Sequence, residues 1–241
     1  IHHLLAEGVT VIGLDRLSRG RPRSLPITVP IVRSDVREAE AMREAIGRLS
    51  RPPQVVFHLA GAARIAESLT DPDRFMDINA GGTQVVVDAC LDAGVECVVL
   101  ASTAAVLAPP DDPLQELDED APVGPTTPYG HSKLAAERTV EAATSTGRCA
   151  GVVARLFNPA GAAFGCAEDH HPETHLVPLA IAAALGQRPP LKVFGDDHPT
   201  PDGTCLRDYI HIRDVCQALV RSAANRLEKH RSGRSSFGVL H

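Results

Sequence analysis

Short apolar runs rich in β-branched residues alternate along this chain with helical patterns, and that alternation limits the fold more than any other feature. The runs are Val9–Leu14, Val29–Val32, Gln54–Leu59, Cys97–Leu100 and Gly151–Leu156. Each is apolar at nearly every position, so both faces must be covered, as in strands held between two layers of helix. Helical patterns fill the intervals: Arg37–Leu49 before Pro52-Pro53, Asp73–Ala93 before Gly94, and Pro128–Thr146 before Gly147. The reading is an α/β fold with a Rossmann-like, doubly wound parallel sheet over residues 1–157.

From residue 158 the texture changes. A loop rich in Gly, Pro, His and acid runs to 175. A short helix at Val177–Leu185, a small strand at Leu191–Phe194, a strand at Tyr209–His211 and a helix at Ile212–Lys229 follow. Residues 158–241 read as a smaller, partial substrate-binding lid. Both ends read as cut. Ile1, Leu4 and Leu5 form an apolar helical face with no strand or Gly-rich turn before it, and Phe237–Leu240 reads as the start of another strand.

The 241 residues are 44% hydrophobic with a formal net charge of −6, which supports a core and offers no basic stripe for nucleic acid. No apolar stretch is long enough to span a bilayer. The six cysteines form no C-x-x-C pair, so neither a disulfide framework nor a zinc site is expected, and a reducing cytoplasm fits. His170, His171 and His175 cluster at a spacing that matches no ligand template, so no metal is expected.

The chemistry-bearing residues gather where strands end. Tyr129 and Lys133 stand i, i+4 at the start of a helical pattern and share a face. An ammonium beside a phenol favours the phenolate, which can take the proton of a hydroxyl as hydride leaves the same carbon. Alone, the pair also describes a surface tyrosine beside a solvated lysine. Ser102-Thr103 sits at the carboxyl end of a strand, where ligands bind in such sheets. A hydroxyl there can share a proton with Tyr129, or simply cap a turn. Asp15 ends the first run and can accept from an adenosine ribose, favouring NAD over NADP, while Asp35 can accept the adenine amino group. Leu59-Ala60-Gly61 follows His58 with small residues that admit a pyrophosphate or ribose, or serve tight packing. Asn79, a poor helix former inside a helical pattern, either orders the site or faces solvent.

With these residues placed, nearly the whole chain resembles the extended short-chain dehydrogenase/reductase superfamily, most closely its UDP-glucose 4-epimerase branch. Three segments carry the resemblance: Tyr129-Gly130-His131-Ser132-Lys133, Phe157-Asn158-Pro159-Ala160-Gly161-Ala162, and above all residues 194–211. The resemblance implies an NAD-binding region over 1–157, with Tyr129 as base, Lys133 on the nicotinamide ribose and Thr103 on the sugar hydroxyl. It adds Val36, Ser102 and Phe157 to the cofactor contacts, and Asn158, His175, Leu176, Phe194 and Arg207 to the UDP-sugar contacts. A guanidinium fork at Arg207 matches a diphosphate.

Ala104-Ala105 replaces the Asp-Glu pair of the related 4,6-dehydratases, which favours epimerisation over elimination. The family's Gly-rich turn is missing from the chain, Leu107-Ala108 replaces its usual Tyr-Gly, and His131 and His175 replace more usual Lys and Asn. The implied activity is NAD-dependent 4-epimerisation of a UDP-hexose, UDP-glucose to UDP-galactose, through a 4-keto sugar. Its rivals are a truncated, non-catalytic remnant that binds NAD poorly, and an epimerase for another nucleotide sugar. The family's habit of pairing through two long helices, here 73–93 and 127–146, implies a homodimer.

Overall fold

Four parallel strands form the centre of the molecule. The computed structural model describes residues 1–18, 25–112, 114–167 and 172–241. Strands β3 (Val55–His58), β4 (Cys97–Thr103), β5 (Ala150–Leu156) and β8 (Phe237–Leu240) lie side by side in that order. β4 pairs with β5 over its whole length, from Cys97 opposite Ala150 to Thr103 opposite Leu156. The pleat sends alternate residues to opposite faces. Val98, Leu100 and Val153 pack on one face against α5 (Gly82–Ala93) and α6 (Pro128–Ser145), through Val86, Val87, Cys90, Ala136 and Val140. Cys97, Val99, Ala150, Val152 and Ala154 pack on the other against Val215, Leu219 and Ala223 of α8 (Ile212–Arg231). A sheet covered on both faces is the doubly wound arrangement that the alternation predicts.

The first two runs pair only at their ends. β1 (Gly13–Leu14) and β2 (Ile31–Val32) form a separate parallel pair, with α1 (His2–Ala6) before it and α2 (Ala39–Gly47) after it. β6 (Asn158–Ala160) pairs with β7 (Tyr209–His211), which sets Asn158 against Tyr209 across a crossover of some fifty residues. Chain after 158 does not stay apart from the sheet, because α8 covers one of its faces and β8 extends its edge.

Two local expectations fail for physical reasons. Leu191–Phe194 is not a strand: Val193 is 80% and Phe194 96% exposed, and no ladder reaches them. The helix expected over 73–93 is interrupted. α4 (Pro72–Phe75) runs into a π turn, Met76–Gly81, before α5 begins. A further helix, α3 (Ile65–Thr70), lies just before it. α7 (Leu176–Ala184) forms near its predicted span but buries none of its residues.

Candidate active site

The site begins with how α6 starts. Thr127 caps the helix by accepting a bond from Gly130 N at 3.1 Å, and Pro128 fills a first-turn position whose missing N–H costs nothing. Gly130 lets the helix press on the 3-10 turn Ala104–Val106 that follows β4. A Cβ there would collide with the Ala105 carbonyl oxygen. That close approach brings the Tyr129 phenol within the influence of the Thr103 hydroxyl, which favours its ionised form. The Tyr129 ring is half-buried and meets fully buried Phe75 edge to face, with centroids 6.3 Å apart.

Lys133, one turn further along α6, is only 6% exposed. Its amine is directed at the chain after β3. A Cβ built on Gly61 would lie 3.8 Å from Lys133 Nζ and 2.8 Å from Asn79 Oδ1. This bare stretch of backbone beside an ammonium is the feature of the structure that suits a ribose and diphosphate, so the residues present fit NAD.

Asn79 is buried, not solvent-facing, and the π turn explains why. The extra residue turns its amide inward, where Oδ1 accepts from Ala62 N at 2.8 Å and Nδ2 donates to Ala62 O at 3.0 Å and to Ser132 Oγ at 2.9 Å. The turn is braced by Thr83 Oγ1, which donates to Asn79 O at 2.5 Å and lies 3.0 Å from His58 Nε2. One amide thus joins the loop after β3 to the helix that carries Tyr129 and Lys133.

The charges do not behave as the i, i+4 spacing suggests. Burial pushes the Tyr129 phenol above the ordinary tyrosine value, and Thr103, not Lys133, opposes the shift. Burial pulls Lys133 down to about 8, against the opposing pull of the Glu137 carboxylate. Burial, helped by the Lys133 charge, holds His58 neutral with a pKa of about 3. The lysine's influence falls on His58 and the Gly61 backbone because its amine points there. With Tyr129 and Tyr209 the only tyrosines and no tryptophan, an ultraviolet titration of the protein minus that of Tyr129→Phe isolates this phenol. We expect ionisation above the usual tyrosine value of about 10; a midpoint below it contradicts the burial.

The other expected residues fall into three groups. Ser102 is buried and donates its hydroxyl to Glu137, so of the Ser102-Thr103 pair only Thr103 faces Tyr129. Asp15 and Asp35 follow β1 and β2 as predicted. Asp15 accepts from Leu17 N at 2.6 Å. Both Asp35 oxygens are taken by Arg37 and Arg16, and the Arg37 hydrogen bonds lead in holding the carboxyl at about 2. Val36 is in the core, whereas Leu59 is 61% exposed. Beyond β5, Phe157 is half-buried and tilts against His241, and Asn158 Nδ2 donates to Asp208 O at 3.0 Å, beside Arg207. His175, Leu176, Phe194 and Arg207 are all exposed, with His175 Nδ1 3.0 Å from Glu173 and Arg207 donating to Leu206 O. His170 and His171 lie outside the described residues, and among the described residues no group of three ligands could hold a metal.

Sequence reasoning missed two buried charges. Glu137 continues the Tyr129, Lys133 series by one more turn, and its carboxylate is gripped by Arg155 of β5. A charged residue inside an otherwise apolar strand, as Arg155 is, had to have a partner, and that was the available signal.

Residues 1–234 match the model of the NAD dependent epimerase/dehydratase family. A UDP-glucose 4-epimerase of Streptomyces lividans is 38% identical over 225 residues, covering 93% of this chain and 67% of that protein. One from Azospirillum brasilense is 40% identical over 224 residues, covering 91% and 63%. The crystal structure of UDP-glucose 4-epimerase from Brucella ovis in complex with NAD superposes with a TM-score of 0.87 at 32% identity, over 99% of this chain and 71% of the other. The chain thus spans about two thirds of the length of the relatives it matches.

Proposed function

The chain belongs to the NAD dependent epimerase/dehydratase family, and on that footing we propose that it interconverts UDP-glucose and UDP-galactose through a 4-keto sugar. The observation that carries the reading is the Thr103–Tyr129 hydroxyl pair at the carboxyl end of β4, with buried Lys133 one turn behind it. Tyr129 takes the proton of the 4-hydroxyl and later returns it. Thr103 holds the reacting oxygen in line with the phenol. Lys133, Gly61 and Asn79 grip the cofactor ribose and its neighbouring backbone. NAD, when bound, supplies the hydride acceptor and donor at C4 and the positive charge of its oxidised nicotinamide. That charge suits a phenol that burial alone keeps protonated. Between the two hydride transfers the keto sugar must present its other face, so the site has to hold the nucleotide while freeing the ring. Ala104-Ala105 offers no acid–base pair for eliminating water, which sets the outcome at epimerisation.

Asp15, Asp35, Val36, Leu59, Ala60, Ser102 and Phe157 complete the cofactor side of this reading. Asn158, His175, Leu176, Phe194 and Arg207 complete the nucleotide-sugar side, with Arg207 on the diphosphate. The division falls at 157/158, with α8 and β8 returning to the sheet. No helix among the described residues is long and apolar enough to cross a membrane. The reading places the protein in the cytoplasm, in galactose metabolism, as a homodimer through the outer faces of α5 and α6. Those faces line a shallow groove from Gln84 to Thr146.

The test is turnover of UDP-galactose by the purified protein supplied with NAD, with light scattering on the same sample for the dimer. Conversion to UDP-glucose is expected. Absence of turnover in protein shown to hold NAD overturns the assignment, and turnover of a different UDP-sugar alone redirects it.

A further inference from the structure

Lys133 and Glu137 stand one turn apart on the buried face of α6, 6% and 5% exposed. Glu137 is fixed from the two strands beneath. Arg155 of β5 grips it with Nη2 at 3.0 Å and Nε at 3.2 and 3.3 Å, and Ser102 of β4 donates its hydroxyl to the same carboxylate. The Glu137 and Arg155 side chains are each 7% exposed. A buried ion pair is weak evidence for stability, since well-packed apolar residues often serve as well. A clamp of this kind on a carboxylate one helical turn from a buried lysine calls for another reason.

The groups around that lysine supply it. Glu137 acts on it from α6 and His58 from β3, Asn79 of the π turn lies with it beside Gly61, Arg155 of β5 stands behind Glu137, and Tyr129 lies one turn earlier on α6. His58 and the phenol are neutral at neutral pH. Among the described residues around it, Glu137 is therefore the anion, and the cluster of Arg155, Glu137 and Lys133 keeps one net positive charge.

We propose that Glu137 is a positioning residue for Lys133: clamped by Arg155 and Ser102, its carboxylate is the fixed counter-charge that keeps the lysine protonated inside the core. Arg155 engages both carboxylate oxygens, so Glu137 acts on Lys133 through its charge and is not free to swing out and pair with it. A protonated Lys133 keeps three donors for ribose hydroxyls and backbone, where a neutral amine keeps two. This rests on the reading of Lys133 as the ribose ligand and names what holds it in the form that role needs.

The chain has three lysines, Lys133, Lys192 and Lys229, so carbon-13 lysine spectra resolve them, and loss of one signal in Lys133→Arg assigns it. We expect a midpoint of about 8 in the unmodified protein. In Glu137→Gln, near-isosteric and uncharged, it should fall by about one to three units. In Ser102→Ala, which removes a hydrogen bond but no charge, it should stay within about half a unit of the unmodified value. Should Glu137→Gln fail to fold, the double variant Glu137→Leu/Arg155→Met, which removes the Arg155 cation together with the carboxylate, should show a smaller fall of the same sign. An unmoved midpoint in whichever of the two Glu137 variants folds overturns the proposal, as does an equal fall in Ser102→Ala. The readout does not depend on turnover. A fallen midpoint in a protein without epimerase activity discards the functional reading alone, and an unmoved one in an active enzyme discards this inference alone.

Discussion

Tyr129→Phe should lose about 10²- to 10⁴-fold in kcat for UDP-galactose, the contribution of a positioned proton-transfer group, while folding normally. The substitution deletes one oxygen and leaves the ring against Phe75, so the edge-to-face contact that fixes it survives. The partner left behind is Thr103, whose hydroxyl still accepts from Ala105 N at 3.2 Å, so no buried group is orphaned. The stability change should stay near the net worth of one hydrogen bond, about 1 kcal/mol. KM should change little, because the phenol is placed on a proton that moves and not on the nucleotide that anchors the substrate. Steady-state kinetics beside a circular dichroism melt checks both halves. A variant within tenfold of the unmodified rate removes Tyr129 from the chemistry. A variant that unfolds makes its hydroxyl a structural group.

How far the sequence reaches depends on whether a residue's neighbours are near in the chain. β4 and β5 were legible because strands covered on both faces must be apolar over most of their length, and Gly94 and Gly147 mark the ends of α5 and α6 by their positive φ of 74°. Tyr129, Lys133 and Thr103 were legible because a helix start and a strand end are local patterns. The pairing of Asn158 with Asp208, in contrast, spans fifty residues of chain, and only the resemblance over 194–211 put those segments on one site. The π turn had no signal beyond the oddity of Asn79 in a helix, since one extra residue leaves the hydrophobic pattern almost unchanged. The direction of the Tyr129 shift depends on burial, which spacing does not report. Glu137 was overlooked because a glutamate on a helix is usually solvated, and only Arg155, on a strand of the sheet beneath and 18 residues along the chain, makes it otherwise.

That same pair yields the largest stability effect expected anywhere in the chain. Glu137→Leu should cost about 3–5 kcal/mol, the range for stripping one partner from a buried ion pair. Arg155 is left as a buried guanidinium that cannot shed its proton, with Lys133 a second cation one turn away. Lys133 can yield its proton, and that gives the loss a pH signature. In the unmodified protein its folded value is about 8 against the ordinary lysine value of 10.5, so folding expels a proton and this group makes stability rise with pH only between those limits. Without Glu137 the folded value is lower still, and the rise starts at lower pH. The deficit, measured as the difference between the two proteins in urea, should therefore shrink as pH rises from about 6 to about 8, with the Arg155 share remaining. Removing that charge as well, in Glu137→Leu/Arg155→Met, should recover most of the loss, because an apolar pair of similar volume can replace a buried salt bridge at little cost. A deficit below about 1 kcal/mol, or one that does not change with pH, would mean that the charges beneath α6 are screened by water and that Glu137 does not govern the state of Lys133.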